Sequence, residues 1–286
     1  MKLCFFNKKQ LGLVEGDTVY DVSSVLDIIE PGHYPFPTHD LYVSALPALK
    51  EAILVQKSGA KTYSVNDVKF LSPVLNPGKI VAAPVNYQAH LDEAIADTDT
   101  FSRAHVRKIQ ETGLFLKATS SLIGQGETVS INLPERRTDH EIELVAIIGK
   151  AGSNIPASEA LTYVAGYSIG LDITIRGPEE RSLRKSLDTY SVLGPWLVTT
   201  DEISDPHALA MHLTVNGENR QVANTKDLIM DVAELIEFAS KFYTLQPGDL
   251  LYTGTPEGVG EIKHGDTISS TIEKIGTLAV EVRNAK

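Results

Sequence analysis

The sequence of 286 residues contains a single cysteine and no long apolar run. A lone Cys4 excludes an intrachain disulfide and a thiolate metal cluster, and its apolar neighbours favour a packing role. The apolar run at residues 3–6 is too short for the core of a signal peptide. A stretch of about twenty apolar residues, the length of a membrane-spanning helix, does not occur. We therefore expect a soluble, cytoplasmic protein with no membrane partner.

Basic residues are outnumbered by acidic ones. There are 26 Lys and Arg against 37 Asp and Glu, which gives a formal net charge of −11. This balance argues against nucleic acid as a partner, because binding phosphates requires clustered cations. An anionic substrate would have to meet a local positive site, such as a metal ion with a few Lys or Arg.

The chain length favours one large domain with a small appendage. Residues 1–68 combine short apolar runs with one helical stretch that ends at Gly59, which is typical of a small α+β domain. Pro73, Pro77 and Gly78 then interrupt regular structure and mark a boundary. We predict a small N-terminal domain over residues 1–68 and a larger domain over residues 69–286.

Short β-branched runs between turn signals fill most of the larger domain, so the predicted fold class is α+β and mainly β. The clearest helix is predicted over residues 227–242, where apolar residues are spaced to form one buried face. A second helical stretch, residues 90–113, is rich in polar residues. Exposed helices of this kind can act as movable lids.

Two glutamates and one aspartate are candidate metal ligands. Glu141 and Glu143 are two residues apart in a predicted strand, so their carboxylates share a face. Taken alone, this pattern is more typical of a solvated strand face. Asp172 interrupts an otherwise buried strand, and a buried carboxylate needs a partner. Three carboxylates suit Mg²⁺ or Mn²⁺.

Further residues could carry the chemistry. His90 and Glu93 are three apart, so one helical turn would place a carboxylate beside an imidazole, as in a general base; a solvated helix surface is the alternative. Lys185 could pair with a substrate carboxylate or a developing oxyanion. The glycine-rich residues 254–260 could present backbone amides to an anion or form a simple turn.

Eight stretches, in sequence order and spanning roughly residues 67–286, resemble the fumarylacetoacetate hydrolase family. They are NYQAH, FLKA, DHEIELVAIIGK, VAGYSIGLDIT, KSLDTYSVLGPW, ENRQVANT, LQPGDLLYTGTPEGVG and IEKIGTL. The resemblance implies a mixed β-roll for the catalytic domain, commonly a homodimer, that binds Mg²⁺ or Mn²⁺ through an ExE strand and a later Asp.

The resemblance also implies roles for individual residues. The metal ligands map onto Glu141, Glu143 and Asp172. His90 and Glu93 match the pair on a short lid helix that orders over substrate. The remaining matches are Lys185, which would contact a substrate oxygen, and Thr255, which would lie near the substrate carboxylate.

The chain departs from the family around the predicted substrate. It reads LDITIRGPEE where many members read close to NDVSARDxQ, so Leu171 replaces an asparagine and Glu179 falls where a glutamine is usual. Arg176 and Glu179 are therefore predicted to bind substrate and to set its identity.

The predicted function is hydrolysis of a C–C bond in a small 2,4-dioxo acid of the acylpyruvate type, through an enolate that the metal stabilises. Three alternatives on the same site are tautomerisation, decarboxylation and dehydration of a related 2-oxo acid. Only hydrolysis needs an activated water, which is why His90 and Glu93 favour it. A further alternative is a protein that is not an enzyme: a binding protein that keeps the metal site but catalyses no reaction.

Overall fold

The computed structural model describes residues 1–96 and 109–285. Its strands are β1 (Lys2–Phe6), β2 (Gln10–Glu15), β3 (Thr18–Asp21), β4 (Thr62–Ser64), β5 (Ile80–Ala82), β6 (Phe115–Lys117), β7 (Leu122–Ile123), β8 (Thr128–Ile131), β9 (Thr138–His140), β10 (Ile142–Ile148), β11 (Val164–Asp172), β12 (Thr174–Ile175), β13 (Ser191–Thr199), β14 (Ala210–Val215), β15 (Glu218–Asn224), β16 (Leu250–Tyr252), β17 (Gly260–Glu261), β18 (Thr267–Ile272) and β19 (Gly276–Asn284).

The helices are fewer and mostly short. The α-helices are α1 (Leu41–Lys57), α2 (Gln88–Ala96), α3 (Ile109–Thr112), α4 (Ala157–Ala160), α5 (Arg181–Arg184) and α6 (Val232–Ser240). Short 3₁₀ helices lie at Ser23–Ile28, Val65–Asp67, Thr119–Ser121, Leu161–Tyr163 and Thr225–Asp227. In the described part of the chain, no helix is long and apolar enough to cross a membrane.

Three sheets form the body of the molecule. The largest has the order β4-β3-β2-β1-β13-β11-β10-β16-β5-β6, with β7 added beside β13. A five-stranded sheet follows the order β15-β14-β18-β19-β8, and a three-stranded sheet the order β12-β9-β17. Strand pairs are mixed, since β5 runs parallel to β16 and β8 parallel to β19 while most other pairs are antiparallel.

The centre of the large sheet is apolar on both faces. All seven residues of β10 are buried, and β11 is buried at every position but one. Strands covered on both faces read as continuous runs of branched apolar residues, as β10 does in IELVAII. A carboxylate within these strands is therefore held in a rigid, dry setting.

The N-terminal residues extend the same large sheet. Strand β1 pairs with β13, with Lys2 opposite Val198 and Leu3 opposite Leu197. Cys4 on β1 is buried, as expected, and burial raises the pKa of its thiol. The division of the chain at residue 68 stays a prediction.

Two helix predictions differ from the structure. Helix α6 begins at Val232 and not near residue 227, because Asp231 caps it: its side chain accepts from the Glu234 N–H, and the Glu234 side chain accepts from the Asp231 N–H. The predicted helix over residues 90–113 corresponds to α2 and α3, and its middle, residues 97–108, lies outside the described residues.

Candidate active site

The three predicted metal ligands lie at the ends of neighbouring strands. Glu141 links β9 to β10, Glu143 is the second residue of β10, and Asp172 ends β11. Strands β10 and β11 are antiparallel, and the Asp172 N–H donates to the Glu141 carbonyl at 2.9 Å. Pairing of the two strands thus brings together side chains that are about thirty residues apart in sequence.

The three carboxylates form a compact and buried cluster. One carboxylate oxygen from each residue lies within 4.8 Å of those of the other two. Glu141 is 5% exposed, and Glu143 and Asp172 are each 1% exposed. Like charges this close in a dry setting destabilise one another unless cations join them.

Lys185 is one of those cations, and it is buried. Its Nζ donates to Glu141 Oε2 at 2.7 Å, to Asp172 Oδ2 at 2.5 Å and to Thr174 Oγ1 at 2.6 Å. An ammonium has three N–H groups, and all three are used here. Lys185 can therefore reach a substrate oxygen only by releasing one of these partners.

Lys117 is a second ammonium in the cluster and has no assigned role in the sequence prediction. It ends β6, donates to Asp172 Oδ1 and donates to the Tyr190 carbonyl at 2.8 Å. Burial lowers its pKa, although the charge of Asp172 opposes that effect. The stretch FLKA carries the signal that could have found it, since a lysine that ends an apolar strand needs a buried partner.

Glu141 is compensated by two cations, Lys185 and Arg176. Burial alone would raise the pKa of its carboxyl, but Lys185 and Arg176 outweigh burial and lower that pKa to about 2. His90 adds to this effect, so its imidazole lies near the cluster. Arg176 Nη2 donates to Glu141 Oε1 at 3.0 Å, which places this predicted substrate-binding residue at the cluster.

Glu143 has a different environment. Burial raises its pKa well above the ordinary value, and the charge of Asp172 raises it further. It accepts from the Gly254 N–H at 2.6 Å, and among the described residues no cation forms an ion pair with it. A hard divalent cation would supply the missing charge, so the donor set fits Mg²⁺ or Mn²⁺ held by Glu141, Glu143 and Asp172.

His90 and Glu93 form the pair predicted for the lid helix. His90 Nδ1 lies 2.9 Å from Glu93 Oε2, and His90 is 5% exposed. Glu93 Oε1 accepts from the Gly258 N–H at 3.0 Å, so the glycine-rich loop after β16 holds this carboxylate in place. The loop thus uses a backbone amide to bind an anionic side chain.

Thr255 and Glu179 complete the predicted set. Thr255 is 2% exposed and directly follows Gly254, whose amide binds Glu143. Glu179 instead forms a two-point ion pair with Arg136, at 2.9 and 2.7 Å. Arg136 also donates to the Arg176 carbonyl, at 2.7 Å from Nη2. The role of Glu179 in substrate binding stays a prediction.

A buried carboxylate trio with two ammonium groups and an imidazole–carboxylate pair, set on a mixed sheet, defines a divalent-metal enzyme for a small anionic substrate. The model of the fumarylacetoacetate (FAA) hydrolase C-terminal domain matches residues 79–283 of the sequence. The chain belongs to the fumarylacetoacetate hydrolase family.

Similar proteins carry more specific names. Maleylpyruvate hydrolase of Aquipseudomonas alcaligenes is 51% identical over 286 residues, covering 99% of this chain and 100% of the relative. The 2,4-didehydro-3-deoxy-L-rhamnonate hydrolase of Sphingomonas sp. (strain SKA58) is 36% identical and covers 99% of this chain and 96% of its own. The structure of maleylpyruvate hydrolase from Sphingobium sp. SYK-6 with manganese(II) and pyruvate superposes with a TM-score of 0.86 at 36% identity, over 100% of both chains.

Several predictions are confirmed by these similarities. The fold is α+β and mainly β, of the type found in this family. The chain is an enzyme, a metal-dependent hydrolase that cleaves a C–C bond in a small 2,4-dioxo acid of the acylpyruvate type, and its cation is Mg²⁺ or Mn²⁺. The roles of individual site residues stay proposals.

Proposed function

We propose that the substrate of this chain is maleylpyruvate, a dicarboxylic 2,4-dioxo acid that hydrolysis splits into maleate and pyruvate. The observation that carries this proposal is the end-to-end similarity to a maleylpyruvate hydrolase, 51% identical over 286 residues. The pyruvate half of the substrate supplies a carboxylate and a 2-oxo group, which suit a buried cation and its surrounding ammonium groups.

The metal would be held by Glu141, Glu143 and Asp172, whose oxygens are close enough to share one ion. When bound, Mn²⁺ or Mg²⁺ acts as a Lewis acid toward the carbonyl oxygens of the substrate and favours negative charge on them. The bound manganese and pyruvate in the Sphingobium sp. SYK-6 maleylpyruvate hydrolase support Mn²⁺ as the cation.

His90 would take the proton from the attacking water. A carboxylate oxygen at 2.9 Å from Nδ1 favours the tautomer with hydrogen on Nδ1, which leaves Nε2 as the basic nitrogen. The Gly258 amide holds Glu93 from its other oxygen, so the pair is fixed from both sides. A positioned base of this kind contributes about 10²–10⁴-fold to a rate.

The bond changes balance with water as the only co-reactant. The water oxygen bonds to the 4-carbonyl carbon while His90 takes one proton. The bond between that carbon and the adjacent methylene carbon then breaks, and its electron pair stays with the pyruvate half as an enolate. The protonated His90 returns a proton to the methylene carbon, which yields pyruvate beside maleate.

Arg176, Thr255 and Lys185 would contact the substrate. Arg176 lies at Glu141, and Thr255 lies one residue beyond the amide that binds Glu143. We assign the carboxylate of the pyruvate half to the Thr255 hydroxyl, and a stabilising role toward the developing oxyanion to Lys185, which exchanges one carboxylate partner for the substrate.

Turnover by the purified chain tests the proposal. The chain with Mn²⁺ or Mg²⁺ is offered maleylpyruvate, its trans isomer fumarylpyruvate, 2,4-didehydro-3-deoxy-L-rhamnonate and oxaloacetate, and pyruvate release is measured. We expect metal-dependent release with kcat/KM for maleylpyruvate about tenfold or more above that for the others, because discrimination by a pocket that recognises one shape reaches this size.

Preference for the sugar acid would reassign the substrate. Tautomerisation of oxaloacetate without cleavage of any dioxo acid would replace hydrolysis with isomerisation.

We further propose that the chain works as a homodimer in the cytoplasm. Membership in a family that is commonly dimeric supports the first part, and a small catabolic 2-oxo acid as substrate supports the second. Sedimentation of the purified chain and fractionation of the source cells measure the two properties.

A further inference from the structure

The side chain of Gln221, on β15, connects the β9–β10 segment, which carries two proposed metal ligands, to the glycine-rich loop, which carries Thr255. Gln221 is 1% exposed and lies far in sequence from both segments. Its Oε1 accepts from the Ile142 N–H at 3.1 Å and lies 3.1 Å from His140 Nδ1. Its Nε2 donates to Thr255 Oγ1 at 2.8 Å and to the Pro256 carbonyl at 2.9 Å.

These partners fix the orientation of the amide. The Ile142 N–H can only donate, so it must face Oε1, and the Pro256 carbonyl can only accept, so it must face Nε2. Reversing the amide would place two donors together at Ile142 and two acceptors together at Pro256. The buried site would then lose both hydrogen bonds, at a cost that buried polar groups avoid.

The orientation of Gln221 sets the role of the Thr255 hydroxyl. Because Thr255 Oγ1 accepts from Gln221 Nε2, its own hydrogen points elsewhere. Within the described part of the chain, no protein atom accepts that hydrogen. The hydroxyl therefore presents a donor, and its neighbour in sequence, Gly254, is bound to Glu143.

We propose that Gln221 is a positioning residue that makes the Thr255 hydroxyl a hydrogen-bond donor to the carboxylate of the substrate's pyruvate half. The proposal rests on the proposed function, in which Thr255 receives that carboxylate. Gln221 does not touch the substrate and acts through Thr255.

The loop around Thr255 explains why one buried amide has this influence. The Gly254 amide binds Glu143 and the Gly258 amide binds Glu93, so the loop joins a metal ligand to the lid helix. At Gly258 (φ +87°), a Cβ would lie 2.1 Å from the Arg220 carbonyl oxygen, which shows how closely the loop packs on β15. Gln221 fastens the loop to this strand between the two amides.

Binding of pyruvate to the Mn²⁺-loaded protein, measured by calorimetry, tests the proposal without turnover. Gln221→Met keeps the side-chain length and removes all four hydrogen bonds of the amide, and Gln221→Glu puts an acceptor where the donor was. Thr255→Val removes the hydroxyl and Thr255→Ser retains it. Gln10→Met is the matched control, because Gln10 Nε2 donates to Asp21 Oδ2 at 2.6 Å in the N-terminal part of the sheet.

We expect Gln221→Met and Thr255→Val each to raise the pyruvate Kd about tenfold to a hundredfold, the usual effect of losing a hydrogen bond to a charged group. Gln221→Glu is expected to raise Kd at least as much, because the introduced carboxylate turns the Thr255 hydrogen away from the substrate. Thr255→Ser and Gln10→Met should bind as the wild type does, and Mn²⁺ affinity should change less than about fivefold in every variant.

A double-mutant cycle separates positioning from a merely structural role. If Gln221 acts through Thr255, Gln221→Met should raise Kd less than about twofold in the Thr255→Val protein. The inference would be overturned if the increase in pyruvate Kd in the double variant equalled the product of the two single increases. It would also be overturned if Gln221→Glu bound pyruvate as the wild type does. Gln221→Glu also serves as the second variant if Gln221→Met fails to fold. A wild type that binds pyruvate but does not cleave maleylpyruvate would reject the proposed function alone.

Discussion

At the scale of single residues, Glu143 differs from the carboxylates beside it. Glu141 and Asp172 each lie against an ammonium group, whereas Glu143 has a backbone amide as its partner. Burial and the charge of Asp172 raise the pKa of Glu143, so the charged form is unfavourable without further positive charge. Among the described residues, Glu143 is thus the carboxylate of the trio that forms no ion pair with a lysine or arginine.

Glu143→Gln should therefore weaken Mn²⁺ binding by about a hundredfold or more, because loss of outer partners alone costs about 10–100-fold. The metal-free variant should unfold at a temperature no lower than the wild type, since the substitution removes an unfavourable buried charge. Calorimetric titration with Mn²⁺ and a thermal melt measure the two effects. Glu261→Gln, on exposed β17, is the control, and unchanged metal affinity in Glu143→Gln would contradict the ligand assignment.

Residue patterns predicted this trio and the His90–Glu93 pair because both rest on short spacings within one strand or one helical turn. Lys117 and Gln221 could not be predicted in this way. Their partners are 55 and 81 residues away, at Asp172 and His140. The strands involved do not pair, since β6 and β11 are not neighbours in the large sheet and β15 and β9 belong to different sheets, so only the tertiary fold brings these residues together. Glu179 belongs with them, since its ion pair with Arg136 spans 43 residues.

At the scale of elements, the site is formed where strand ends meet a helix and a loop. The buried strand that Asp172 is predicted to interrupt divides into β11 and β12, and Asp172 ends the first of them. Thr174 on β12 then accepts from Lys185. The sequence pattern indicated an interruption at Asp172, but it could not show that the residues beyond it leave the large sheet and pair with β9.

Helix α2 carries His90 and Glu93, the pair proposed to activate the attacking water. His90→Ala should lower kcat for maleylpyruvate about 10²–10⁴-fold, the contribution of a positioned general base. Pyruvate affinity of the Mn²⁺-loaded protein should stay within about twofold, because the base acts on water and not on the pyruvate half.

The matched control for that prediction lies on the same helix. Gln88 is exposed and donates to Asp92 at 2.9 Å, so Gln88→Ala perturbs the surface of α2 without touching the imidazole. It should leave kcat unchanged. Pyruvate release by His90→Ala at the wild-type rate would show that another group activates the water.

At the scale of the whole molecule, the N-terminal residues and the catalytic part share one sheet and one core. Sequence composition predicted a boundary at residue 68, since prolines and glycine interrupt the chain just beyond it. It could not predict that β1 pairs with β13, because that contact joins residues nearly two hundred apart. The second apolar cluster likewise combines Leu3 and Phe5 with Leu193 and Leu197.

A chain that begins at residue 69 should therefore be much less stable than the full chain, although the family model starts at residue 79. Removing β1 to β4 exposes the edge of β13 and uncovers Leu193 and Leu197, and each apolar side chain that loses burial costs about 1.5–3 kcal/mol. For a loss on the order of 5 kcal/mol, the melting temperature should fall by roughly 10–20 °C. Scanning calorimetry should show one unfolding transition for the full chain. The shortened chain should unfold at a lower temperature or aggregate on heating. Equal melting temperatures would show that residues 69–286 fold and remain stable without residues 1–68.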